Sequence, residues 1–178
     1  MRFDAPTFMK KTSLVSTLVS TLVLTLLASM AFGGTLKVPQ DEPAITVTIP
    51  DNWEPEADGD GVLAESPDNV ATLYLEVVTS EDELNEAIEG STEWLAEHEV
   101  KIDEATEEKK DFKTGEREWK VISWTADHKE WGPASVGFLF TEAGDGKMLT
   151  ITYWISKKDS EKSLETLEKI FSSVKTVK

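Results

Sequence analysis

Asp58-Gly59-Asp60-Gly61 alternates carboxylates with glycines, the arrangement in which oxygen ligands gather around a hard cation such as calcium. As an EF-hand it fails: Val62 stands where a third ligand belongs and Asn69 where the closing Glu belongs. A calcium site made from Asp58, Asp60 and Glu65 therefore stands as an alternative to a plain acidic turn. The two histidines, His98 and His128, lie far apart with acidic neighbours. Zinc needs three or four convergent ligands, and nothing in the spacing brings this pair together. Four tryptophans, Trp53, Trp124, Trp131 and Trp154, have the size and polarity to line an aromatic ligand cleft. Their alternative role is simple core burial, which is the expected one for Trp53 after a strand end.

Covalent chemistry has little to work with. The chain has no cysteine, no Gly-x-Ser-x-Gly elbow and no glycine-rich phosphate loop ahead of a helix. With 34 Asp and Glu residues in the chain, some carboxylate pair falls close by chance, so a glycosidase-type pair has no support from order alone. No motif implies a cofactor, and the expectation is a protein that is not an enzyme.

The elements that must hold these residues follow from periodicity. Ile45–Ile49 alternates strictly and reads as a strand, ended by the turn residues Pro50-Asp51-Asn52-Trp53. A short strand around 62–65 and a longer one at 71–78 flank the Ser66-Pro67-Asp68-Asn69 turn. Ser80 and Glu83 fit a capping box opening a helix to about His98. Its stripe is Leu84, Ala87, Ile88, Ser91, Leu95 and His98, with Trp94 beside it. The acidic residues Glu81, Asp82, Glu86, Glu89, Glu93 and Glu97 read as its solvated face.

Residues 101–128 read as two strands joined near Thr114-Gly115. A third follows at about 134–141 and a fourth at 148–156, after the Gly144-Asp145-Gly146 hairpin turn. A helix from about Ser160 carries the stripe Leu164, Leu167, Ile170, Phe171 and Val174. Short connections make the sheet antiparallel. Trp119 and Val121 opposite Ile122 and Trp124 give one strand two apolar faces, so both sides of the sheet need cover. The predicted class is α+β, an antiparallel sheet with helices on its faces.

The N-terminus gives the address. Arg2, Lys10 and Lys11 precede an apolar run at 14–27, and Ala28-Ser29-Met30-Ala31 supplies small residues for a peptidase. That is the pattern of a secretory signal peptide, expected to be cut after Ala31. The alternative is an uncleaved membrane anchor, since 12–32 is about long enough to span; its serines and threonines and the lack of a following basic cluster argue against that. No cysteine adjoins the cut, so no lipid anchor is expected. The division expected is a signal peptide at 1–31, a lead-in at 32–43 and a single domain at 44–178, periplasmic or secreted.

Full-length charge is −16, and Arg2, Lys10 and Lys11 against Asp4 leave +2 in the first 31 residues, so the remainder carries −18. Such a surface repels nucleic acid and anionic lipid headgroups. Without disulfides the fold must rest on its core, to which six tryptophans contribute.

Ile49-Pro50-Asp51-Asn52-Trp53, the Gly61…Ser66-Pro67-Asp68 turn and the strand at 73–77 resemble the start of a PsbP-like domain. The resemblance continues in element order through the capped helix, the four-strand meander and Ile170-Phe171-Ser172-Ser173-Val174, over about residues 44–176. It implies an αβα sandwich and extracytoplasmic proteins that bind other proteins without a common catalytic site. It carries over no functional residue, and fold analogy alone transfers no function. The leading expectation is an exported domain that binds a protein partner. A small-ligand or lipid-binding module with an aromatic cleft is the alternative, and a hydrolase built from scattered carboxylates comes third.

Overall fold

Strand β5 (Ala71–Val78) lies between two antiparallel neighbours, with Leu73 and Leu75 paired with Ala64 and Val62 on one side and with Tyr153 and Ile151 on the other. The structure, a computed structural model, describes residues 33–130, 132–158 and 160–177. The signal-peptide and membrane-anchor expectations for 1–31, and Trp131, lie outside the described residues. Seven antiparallel strands form the main sheet in the order β3 (Glu56–Asp58), β4 (Gly61–Glu65), β5, β9 (Lys147–Ser156), β8 (Gly132–Gly144), β7 (Arg117–His128), β6 (Val100–Thr114). A small sheet of β1 (Thr35–Val38), β2 (Ile45–Thr48) and β10 (Lys175–Thr176) lies apart from it in pairing. Among the described residues the α-helices are α1 (Glu81–Glu97) and α2 (Ser160–Ser173), with a short 3-10 turn at Asp51–Trp53.

Alternation assigns the two faces. Leu73 and Leu75 of β5, Ile151 of β9, Leu139 of β8 and Trp119 of β7 point one way. There they meet Ile45 and Val47 of β2, Leu167 and Ile170 of α2, and Val174 just after that helix, forming the main core. Trp119 is fully buried there, stacked on Phe112 and tilted against Phe171, and its Nε1–H donates to Thr114 Oγ1 at 2.8 Å. On the opposite face Trp154, Val136, Ala134 and Ala126 form a smaller core with Leu95 of α1. The sheet is therefore covered on both faces, as its doubly apolar strands require.

Local chemistry sets the element ends. Ser80 Oγ accepts the Glu83 N–H at 3.1 Å, while the Glu83 carboxylate reaches back one residue further than expected and accepts the Thr79 N–H at 2.6 Å. Ser66 Oγ accepts the N–H groups of Val70 and Ala71 at 3.0 and 2.9 Å and so closes the turn between β4 and β5. Asp145 and Gly146 both adopt positive φ between β8 and β9, as a two-residue hairpin demands.

Three strands were not legible. The stretch expected as a lead-in supplies β1, whose Val38 is fully buried and pairs with Ile45. β3 is wholly exposed and acidic, without alternation to reveal it. β10 is only two residues long. The α2 stripe also departs from expectation at one end: Leu164 is 50 % exposed.

Candidate functional site

Along α1 the face turned to the sheet runs through Ala87, Gly90 and Ser91, all small. Residues at this spacing share one side of a helix, and small side chains there cannot fill the space beneath them. Ser91 Oγ and Thr152 Oγ1 meet at 2.8 Å and pin the helix to β9. Beyond that tether a cleft of about 510 Å³ opens between α1 and the β4–β5–β9 part of the sheet. Clefts of roughly 300–1,000 Å³ are the usual size for small organic ligands.

The walls divide by chemistry. Trp94, Leu95, Trp154, Leu63 and Val78 supply apolar surface. Trp94 is half-buried, and the exposed His98 ring at the end of α1 stacks on it at 4.1 Å between centroids. Carboxylates come from three separate segments: Asp58 and Asp60 from the β3–β4 turn, Glu76 from β5, and Glu83 and Glu86 from α1. Tyr74 lies among them, its hydroxyl donating to the Asp58 carbonyl at 3.3 Å. Gly61 allows that crossing, because a Cβ there would come within 2.7 Å of the Tyr74 hydroxyl. Burial and then the nearby Glu76, Asp58 and Asp60 charges push the Tyr74 phenol up to about 12, so it remains a neutral donor. Burial likewise raises Glu76 above the ordinary carboxyl value, partly offset by a hydrogen bond from Thr150.

Of the residues picked from sequence, Trp154 and Trp124 share a sheet face, each paired with Val136 across a strand. Trp154 is 4 % exposed and lines the cleft, whereas Trp124 is half-buried against Phe138, outside the lining. Trp53, 3 % exposed, belongs to the main core on the other face, so the structure does not bring it to the cleft. Asp58 and Asp60 stand at the cleft mouth. Glu65 lies at the far end of β4 from Gly61, the partner of Asp58, about 13 Å away at the usual strand rise. Strand geometry thus separates Glu65 from the other two. Among the described residues no group of three or more His, Asp or Glu converges on a metal position. His98 caps the C-terminal end of α1 and His128 ends β7, where it pairs with Val100, so the two segments lie close together, without a third ligand converging on them among the described residues. His128 is buried, its Nδ1 accepting the Glu130 N–H.

Sequence reading missed Tyr74, Glu76 and Glu83 as site residues and assigned Glu86 to the solvated face. Their one advance signal was the run of small residues inside an otherwise apolar helix stripe.

A second concavity of about 480 Å³ runs beside α2, lined by Phe112, Val121, Leu139, Ile155 and Phe171, with the exposed Leu164 on its rim. Among the described residues no helix is long and apolar enough to cross a membrane.

No family model and no curated protein sequence matches this chain. Among solved structures it is similar to the solution structure of cyanobacterial PsbP (CyanoP) from Synechocystis sp. PCC 6803, with a TM-score of 0.52 and 9 % sequence identity. The similarity covers 84 % of this chain and 96 % of that one. At that identity the likeness speaks for architecture alone, and the architecture is a PsbP-like α+β sandwich.

Proposed function

We propose that this chain is an exported, non-catalytic domain that works by holding a small organic ligand in the cleft beneath α1. The carrying observation is the cleft itself: about 510 Å³, walled by Trp94 and Trp154, with polar groups around its mouth. Export rests on the basic, apolar and small-residue pattern of 1–31. The strongly acidic remainder disfavours nucleic acid as a partner. Membrane association would require the N-terminal segment to remain uncleaved.

Docking of another protein is the second reading, favoured by the apolar groove beside α2 and by Leu164 on its rim. Apart from Leu164, only Val177 is a large exposed apolar residue among those described, which gives a protein partner a small apolar footing. The two separate in one experiment. Native mass spectrometry of the mature chain from its own host should find a bound small molecule. Gly90→Leu, which places a side chain in the cleft, should release it. A ligand-free mature chain whose cross-links to another protein cluster around Leu164 would reject the cleft and favour docking.

A further inference from the structure

The cleft beneath α1 has a charge pattern that names the kind of ligand it suits. Its five carboxylates, Asp58, Asp60, Glu76, Glu83 and Glu86, face no lysine, arginine or histidine among the lining residues. Every ion pair among the described residues lies elsewhere, on Glu99, Glu107, Glu108 and Glu118. The negative charge at this mouth is therefore not answered from within the lining. It also arrives from three segments, and among the described residues no three of these groups converge as a metal would require. Carboxylates from three segments that share a cleft with Trp94 and Trp154 suit a large, diffuse cation better than a compact one.

We infer that the cleft selects an organic cation, with an ammonium group at the carboxylate mouth and an apolar body against Trp94 and Trp154. The inference rests on the cleft being a ligand site and adds the class of ligand. An indole face attracts a nearby cation through its ring quadrupole, by about 0.5–2 kcal/mol depending on desolvation. The carboxylates add charge-assisted hydrogen bonds from an N–H donor, and they repel an anion of the same shape. Glu76 gains most from the pairing, because half-burial disfavours its own charge until a cation meets it.

Three probes of one shape and different charge test this by isothermal titration calorimetry on the mature chain at low salt: phenethylammonium, 2-phenylethanol and 3-phenylpropanoate. The expected order places phenethylammonium first by about tenfold over the alcohol, the scale of one or two such interactions, with the carboxylate weakest. Glu76→Gln combined with Glu86→Gln should shrink the preference for the cation, and Gly90→Leu should abolish binding. If the alcohol binds as tightly as the ammonium and Gly90→Leu removes both, selection by charge is overturned while the cleft stands as a ligand site. Ammonium binding that survives Gly90→Leu places the cation elsewhere and overturns the inference. Heat from none of the three overturns the inference and the ligand reading together.

Discussion

Glu76 and Ser66 show how much single polar groups decide in a fold held by its core. The Glu76 carboxyl titrates above its ordinary value of 4.5 because burial disfavours the charge more than the Thr150 hydrogen bond favours it. The groups facing it, Tyr74 on its own strand, Asp58 and Asp60 from the β3–β4 turn and Glu83 and Glu86 from α1, include no cation. A carboxyl with a raised folded pKa binds more protons folded than unfolded, so stability falls as pH rises through that window. Glu76→Gln should therefore raise the thermal midpoint at neutral pH, and the gain should vanish below about pH 4, where both states are protonated. Melting curves across that range check the sign. Ser66, 2 % exposed, satisfies two backbone N–H groups. Ser66→Ala leaves both without their acceptor and should cost about 1–3 kcal/mol, read as a lower urea midpoint at unchanged slope. The turn at Ser66 was legible because its residue types name the turn. The polarity around Glu76 was not, since its neighbours come from parts of the chain that only the sheet brings together.

At the scale of elements, α1 explains both what was read correctly and what was missed. Ser80 and Glu83 mark its start unmistakably, and the observed cap differs only in that the carboxylate reaches Thr79. Its stripe was equally plain, but the meaning of Ala87 and Ser91 within it, with Gly90 beside them, was not. Periodicity reports which face is turned inward, and the gap beneath depends on the strands opposite. β6 and β3 stand at the two sheet edges. β6 is long yet crowded with exposed lysines and glutamates, and β3 is three exposed residues. Charged or very short edges discourage pairing with other chains; shortness and exposure hide β3 from hydrophobic periodicity, whereas β6 was legible as the first of the two strands at 101–128. Gly90 provides the element-scale test. A Cβ there meets nothing within 4 Å, and glycine inside a helix costs roughly 0.5–1 kcal/mol relative to alanine. Gly90→Ala should stabilise the chain by about that amount, or about 1–4 °C in thermal midpoint for a domain of this size. It should also leave probe binding largely intact, in contrast to Gly90→Leu. A neutral or destabilising result would mean that the glycine is needed for the backbone and not for the space.

For the molecule as a whole, charge is the term with the widest reach. Residues 32–178 carry −18, and all four ion pairs among the described residues are exposed. Exposed pairs contribute about 0–1 kcal/mol each, too little to offset repulsion summed over so many like charges. Folding brings those charges closer together, so screening should favour the folded state. Raising NaCl from about 0.01 M to about 1 M shortens the screening length from about 30 Å to about 3 Å, and the thermal midpoint should rise across that range. Phenethylammonium binding should respond with the opposite sign, because the same ions screen its attraction to Asp58, Asp60, Glu76, Glu83 and Glu86. Opposed slopes separate a general acidic surface from a cleft that uses its charge. A midpoint that falls with salt would show that favourable pairs, not repulsion, dominate the folded chain. Affinity for the cation that does not weaken with salt would remove charge from the account of the cleft, whatever happens to stability.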